Sequence, residues 1–226
     1  ITNNDKTNMY RANDLNRDQS YFLFNTTREQ LDYLRFPLGN LLKDETRDIA
    51  KKLELNVADK PDSQDICFVP NGDYSSVIRK FRPNSFKSGK ILDVSGNNIG
   101  DHEGIINYTI GQRKGLGIAL GYPAYVTNIN MKKNEVTIGS FDELKRDGMY
   151  VNKLNFMKYE NINDKLNVDT KIRYNDKGNP SIIEQVDDTV KVYFGNGVSA
   201  ITPGQAAVFY ENNDVIGGGW IKSSFD

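Results

Sequence analysis

Apolar positions recur at helical spacing in the first quarter of the chain and at strand spacing over most of the rest. Thr26-Thr27-Arg28-Glu29 fits a helix start, with a threonine hydroxyl and a glutamate three residues on able to bond the free amides of the first turn. This helix is predicted to reach about Leu34 and to stop before Pro37. A second helix is predicted from about Asp44 to Leu53, where Thr46, Ile49, Ala50 and Leu53 share one face. Between them, Phe36-Pro37-Leu38-Gly39 reads as a rigid apolar turn.

The pattern changes after residue 62. Ile66-Cys67-Phe68-Val69 is a short apolar run before Pro70 and reads as a buried strand. Tyr74, Val77, Ile78 and Phe81 follow at the spacing of an amphipathic helix. Two hairpins are predicted, one joining Lys90–Val94 to Ile99-Gly100 and one joining Ala124–Asn130 to Glu135–Ile138. Beyond residue 149 nearly everything reads as strand and turn, with strands expected at Lys171–Tyr174, Ser181–Val186, Val190–Phe194 and Ala206–Tyr210. About six such strands suggest a small closed or nearly closed barrel. The charged stretch Asp142 to Asp147 is the expected domain boundary, and there is no internal repeat or low-complexity segment.

Composition narrows the picture. Hydrophobic residues make up 38% and charged residues 26% of 226 residues, as in a globular protein with its own core. No apolar run is long enough to suggest a membrane helix. The net charge of −1 argues against a strongly basic nucleic-acid coat protein but leaves room for a local basic patch. A single cysteine and a single histidine exclude an intrachain disulfide, a multi-cysteine zinc site and a histidine-based metal cluster within these residues. A lone thiol fits a reducing compartment. The start, Ile1-Thr2-Asn3-Asn4-Asp5, has neither the basic nor the apolar part of a signal peptide, and the chain is expected to begin inside a longer protein.

Four segments could carry chemistry. Cys67 could act as a nucleophile or sulfur carrier, although apolar Ile66 and Phe68 equally suit a buried structural thiol. In Gly111-Gln112-Arg113-Lys114-Gly115-Leu116-Gly117 the glycines permit close backbone approach and two cations can meet phosphate. The Walker spacing is absent, so a basic surface turn remains open. Asn16-Arg17-Asp18-Gln19-Ser20 is a polar cluster that could be a helix cap. Arg173-Tyr174 could pair with phosphate and stack on a base, or be an exposed Arg beside an inward Tyr on a strand. Basic residues scattered from Arg79 to Lys90 fit a phosphate track or a solvated face. His102, between Asp101 and Glu103, reads as a surface turn residue.

Taken together, these segments resemble one family. Asn16-Arg17-Asp18-Gln19-Ser20-Tyr21-Phe22-Leu23, Phe36-Pro37-Leu38-Gly39 with Arg47-Asp48-Ile49-Ala50, Asp62-Ser63-Gln64-Asp65-Ile66-Cys67-Phe68, Tyr108 to Gly117, and Thr202-Pro203-Gly204-Gln205 with Gly217-Gly218-Gly219 occur in the order of the tRNA-specific 2-thiouridylases. The resemblance implies an α+β chain. It would comprise the helical remainder of an α/β ATP-pyrophosphatase domain (1–62), a small central α+β domain (63–147) and a C-terminal antiparallel β-barrel (148–226).

It also implies an activity: ATP-dependent transfer of sulfur from a cysteine persulfide to C2 of wobble uridine 34 in tRNA. Cys67 would carry the persulfide. Arg17, Asp18, Gln19, Arg173, Tyr174 and Gln205 would contact the tRNA in its anticodon region. A persulfide sulfur-donor protein is the second implied partner. ATP with Mg2+, no membrane, and a cytoplasmic location (mitochondrial in a eukaryote) complete the expectation. The family's Ser-Gly-Gly-x-Asp-Ser loop and its first cysteine do not occur in these residues. This chain alone is therefore expected to be inactive, with a non-catalytic tRNA-binding remnant as the alternative. A translation-factor-like barrel with a structural cysteine would leave the glycine segment unexplained.

Overall fold

The computed structural model describes residues 2–3, 6–60, 74–81 and 86–226. It divides into two units, Ile1–Pro61 with Arg146–Gly197 and Thr202–Asp226, and Asp62–Lys145 with Val198–Ile201. The chain is α+β, with few helices, a mixed sheet and a closed antiparallel barrel.

In the first unit, a short ribbon of β1 (Thr2–Asn3) and β2 (Lys6–Thr7) precedes two helices, α1 (Arg28–Tyr33) and α2 (Lys43–Lys52). The capping box of α1 sits one residue later than its sequence suggests. Thr27 Oγ1 accepts the Gln30 amide at 3.2 Å, and Gln30 Oε1 accepts the Thr27 amide at 2.9 Å. Gln30 therefore does the work expected of Glu29. Leu31 is the buried residue of α1. The α2 helix is entered at Leu42, whose amide is held by Glu45 Oε2 at 2.7 Å, and it buries no residue.

The second unit begins its described part with α3 (Tyr74–Phe81), where the apolar spacing predicts a helix. The predicted strand Ile66–Val69, and Cys67 with it, lies outside the described residues. Four strands follow: β3 (Gly89–Asp93), β4 (Asn98–His102), β5 (Tyr125–Asn130) and β6 (Glu135–Gly139). Their order is β4-β3-β6-β5, with β3 and β6 parallel. Ile91, Val126, Val136 and Ile138 are fully buried and form its core with Leu116 and Ala124. His102 is buried at 2% exposure, which corrects the surface-turn expectation. Its Nδ1 accepts the Gly104 amide at 3.1 Å, which leaves the proton on Nε2, 3.2 Å from the Asn134 carbonyl.

The barrel belongs to the first unit. It comprises β7 (Lys145–Phe156), β8 (Leu166–Lys171), β9 (Asn179–Val186), β10 (Thr189–Ser199), β11 (Ala206–Glu211) and β12 (Asp214–Phe225), closed in the order β10-β7-β12-β11-β8-β9. Strand β10 alternates Val190, Val192 and Phe194 inward with Lys191 and Tyr193 outward. Strand β11 does not alternate, because both its faces are covered. Ala207 and Phe209 face one way, while Ala206, Val208 and Tyr210 join Met9, Tyr21, Phe24 and Leu31 in an outer cluster. The segment carrying Met9 is tied to the barrel through the Val215 amide, which donates to the Met9 carbonyl at 2.9 Å.

The expected strand Lys171–Tyr174 is corrected. Strand β8 ends at Lys171, and Ile172–Tyr174 enter a turn. Asp176 forms that turn by accepting the Ile172 and Gly178 amides, each at 3.1 Å. Strands β7 and β12 fall largely in the stretch expected to be strand and turn, without being among the four strands named for it. In β12, Gly217 has φ +143, and a Cβ there would lie 2.1 Å from the Asn155 carbonyl oxygen of β7. Glycine is demanded by that close approach.

Candidate nucleic-acid interface

The polar segment Asn16–Ser20 is organised around a buried carboxylate. Asp18 is only 4% exposed. Its Oδ1 accepts the Ala12 amide at 3.2 Å and the Ser20 amide at 3.0 Å, and its Oδ2 accepts the Ser20 hydroxyl at 2.7 Å. Ser20 Oγ lies 3.2 Å from the Tyr210 hydroxyl, and the Arg11 guanidinium covers the Tyr210 ring 3.8 Å from its centroid. Burial pushes the Tyr210 hydroxyl up to about 12, so it stays protonated as a donor. With Asp18 turned inward, its neighbours Arg17 and Gln19 are exposed on the other side.

Gln19 reaches across 155 positions. Its Nε2 donates to the Tyr174 hydroxyl at 3.0 Å. The Tyr174 ring stacks on Phe22, with centroids 4.7 Å apart and planes 29° apart. Tyr21 meets the edge of Phe22 at 5.5 Å, and its own hydroxyl, pushed up to about 12 by burial, donates to the Ala206 carbonyl at 3.0 Å. Phe22 remains 58% exposed. The result is an open aromatic surface beside two exposed arginines, Arg17 and Arg173. Lys171 lies behind it, with its ammonium 5.9 Å from the Tyr174 centroid. Burial draws the Lys171 ammonium below its ordinary range, an effect that Asp18 opposes and Arg11 reinforces. Such a surface can stack a base and neutralise phosphate.

The structure thus joins Gln19 to Tyr174 directly, with Arg17 and Arg173 adjacent to them in the chain. Asp18 lies beneath and holds the segment. Gln205 is exposed immediately before β11, one residue before the carbonyl that Tyr21 engages. Its backbone carbonyl accepts the Ile221 amide at 2.8 Å. Reasoning from the residues missed Phe22, Lys171 and Arg11. The apolar run Tyr21–Phe24 concealed Phe22, which is the exposed member between buried Tyr21 and Phe24.

In the second unit, the glycine segment is a pinned loop. The Gly111 amide donates to the Val126 carbonyl at 2.8 Å, and Val126 returns a bond to the Gln112 carbonyl at 2.9 Å. The Gln112 side chain then spans the loop, accepting the Thr109 amide and donating to the Lys114 carbonyl. Gly111 has φ +85, and a Cβ there would lie 2.8 Å from the Ala200 side chain. Arg113 and Lys114 are left exposed at the tip. Among the described residues no cluster of three His, Cys, Asp or Glu could hold a metal ion. Among them, too, no helix is long and apolar enough to cross a membrane.

Three family models match in succession: the tRNA methyl transferase HUP domain over residues 1–71, the tRNA methyl transferase PRC-barrel domain over 75–140, and the aminomethyltransferase beta-barrel domain over 146–221. The chain is 51% identical over 220 residues to a tRNA-specific 2-thiouridylase of Amoebophilus asiaticus, covering 95% of this chain and 58% of that protein. It is 52% identical over 223 residues to the one from Rickettsia massiliae, covering 98% and 61%. The chain belongs to the tRNA-specific 2-thiouridylase family. It spans about three-fifths of the length of these 2-thiouridylases. The match to a 2-thiouridylase of Rickettsia conorii, 54% over 207 residues, covers 91% of the chain and 56% of that relative.

Proposed function

We propose that this chain is the tRNA-holding and sulfur-bearing portion of a tRNA 2-thiouridylase. The reaction proposed for the whole protein is ATP-dependent transfer of sulfur from a cysteine persulfide to C2 of wobble uridine 34. The observation that carries the reading is the bond from Gln19 to the Tyr174 hydroxyl. It unites the two segments that the resemblance assigns to tRNA into one surface of exposed aromatic and cationic groups. The family models' descriptions alone would suggest methyl transfer, but the curated relatives at 51–54% identity are named for thiolation.

In this reading residues 1–62 complete an ATP-pyrophosphatase domain, 63–147 form the central domain and 148–226 the barrel. Arg17 and Arg173 meet phosphate, Tyr174 with Phe22 offers a stacking face, and Gln19 and Gln205 supply directional hydrogen bonds. Cys67 carries the transferable sulfur, received from a persulfide donor protein in the cytoplasm. ATP and Mg2+ belong to the proposal for the whole protein. These residues contain no Ser-Gly-Gly-x-Asp-Ser loop.

The test pairs two substitutions in the complete protein carrying this chain. Cys67→Ser is expected to abolish thiolation of a tRNA transcript while leaving tRNA affinity within about twofold, a shift small against one 1.4 kcal/mol decade. Arg173→Ala is expected to weaken tRNA binding about tenfold at low salt and to lower the salt slope by about one. Retained thiolation in Cys67→Ser would remove Cys67 from the chemistry and favour a non-catalytic tRNA-binding remnant. Unchanged binding in Arg173→Ala would detach the barrel from the RNA.

A further inference from the structure

The outer face of β10, β7 and β12 carries a second constellation, which shares no residue with the Gln19–Tyr174 surface. Lys191 on β10 places its ammonium 4.8 Å from the Tyr193 ring centroid, 4.9 Å from that of Phe225 and 5.7 Å from that of Tyr150. The rings brace one another, with Tyr150 and Phe225 centroids 5.0 Å apart and Tyr193 and Phe225 5.8 Å apart. Phe225 can lie there only because residue 148 is glycine. A Cβ at Gly148 would sit 2.2 Å from the tip of that ring. Among the described residues no carboxylate lies within ion-pair distance of Lys191. The nearby Glu184 is engaged by the Tyr193 hydroxyl at 3.4 Å and by Lys165 at 3.8 Å. Aromatic rings orient a cation without cancelling its charge. Lys191, whose register partner on β9 is Glu184, is therefore held on an aromatic bed without a direct ion pair.

The same face continues into an open cleft of about 960 Å³. Thr189 of its lining lies two residues before Lys191 on β10, and Asn152 lies two residues after Tyr150 on β7, so both point outward with them. The cleft is lined by Arg28, Lys153 and Lys222 against Glu160 and Asp188. Arg28 pairs with Glu160 at 3.7 Å through one nitrogen and keeps another buried without a partner. Lys153 and Lys222 have no ion-pair partner among the described residues. Cations spaced along a strip and interleaved with rings complement a chain of phosphates and bases, and a neutral ligand would leave them uncompensated.

We propose that this face is a second RNA-binding strip, in which Lys191 takes a backbone phosphate, Tyr193 and Phe225 receive an adjoining base, and the cleft at Lys222 takes the next stretch of backbone. The strip rests on the reading of the chain as tRNA-binding, and it adds a contact surface that the resemblance does not assign.

The experiment measures fluorescence anisotropy of a labelled, unmodified tRNA transcript with the full chain over a salt series. Wild type, Lys191→Gln, Lys191→Arg, Phe225→Leu, Lys222→Gln and Arg173→Ala are compared after matching their thermal melts. Lys191→Gln is expected to weaken binding about fivefold and to lower the salt slope by about 0.7, and Lys191→Arg to restore both. Phe225→Leu is expected to weaken binding about threefold with the slope unchanged, because stacking carries no counterion release. Lys222→Gln tests the cleft without disturbing the rings and is expected to lower the slope likewise. If Lys191→Gln and Lys222→Gln both bind as wild type does while Arg173→Ala is weakened, the strip is overturned, its face is left to an acidic protein partner, and the tRNA reading stands. If wild type fails to bind the transcript, the tRNA reading falls and the strip falls with it.

Discussion

Strand β11 and helix α2 both present apolar side chains, yet they use them in opposite ways. Every residue of β11 except Glu211 is buried, on both faces of the strand. No residue of α2 is buried, and its apolar Ile49 and the Leu53 that caps its end are 40% and 64% exposed. The helix is held by local terms: Glu45 on the Leu42 amide, acidic residues in the first turn and lysines in the last. Each is worth a few tenths of a kcal/mol to about 1 kcal/mol. The strand is held by burial, at about 1.5–3 kcal/mol for each large side chain. An amphipathic pattern therefore specifies a face, while the rest of the fold decides whether anything covers it.

The comparison breaks first at β11. Phe209 is fully buried inside the barrel, and Phe209→Ala is expected to cost about 3–5 kcal/mol in urea denaturation of the chain. A loss below 1 kcal/mol would mean that the barrel interior is not the main source of cohesion. Asp18 comes next, since it joins the outer side of β11 to the segment carrying Gln19 through Ser20 and Tyr210. Asp18→Ala strands the Ala12 and Ser20 amides and is expected to cost about 2 kcal/mol. Asp18→Asn keeps the Oδ1 acceptor and is expected to cost about half as much. Both should weaken tRNA binding in proportion to the lost stability. Gln19→Ala should weaken binding with the melting temperature unchanged. Weakened binding by Asp18→Ala at wild-type stability would instead make Asp18 a direct contact.

That distinction between a holding residue and a touching one was not legible in the sequence. Arg17, Asp18 and Gln19 stand side by side with equal polarity, and only the backbone direction turns the middle one inward. The alternation of β10 and the two hairpins of the mixed sheet were legible, because each has one covered face that dictates its own pattern. Strand β12 was hidden, because Gly217-Gly218-Gly219 has no side chains to alternate. What demands those glycines is backbone: the Asn155 and Asn152 carbonyls of β7, far away in sequence, and the Ala207 carbonyl of the preceding strand. The turn at Arg173 was hidden for a related reason. Its determinant is Asp176, which lies beyond the run Lys171–Tyr174 that reads as strand. The Gln19–Tyr174 bond spans 155 positions, so no local spacing could announce it.

The smallest expected effect sharpens the comparison from the side of α2. Ile49→Ser places a hydroxyl where an apolar side chain is already 40% exposed. The helix-propensity difference between the two residues is a few tenths of a kcal/mol, and no packed cavity is opened. The expected cost is therefore below about 0.5 kcal/mol in denaturation of this chain, against several for Phe209→Ala. A cost above 1 kcal/mol would require Ile49 to be packed against something in solution, and the apolar stripe of α2 would then contribute to the fold as β11 does. A cost within the expected range leaves its helicity to capping and charge. In that case Glu45→Ala, which frees the Leu42 amide, should unwind the first turn of α2 more than Ile49→Ser does, as read from amide exchange of residues 43–47.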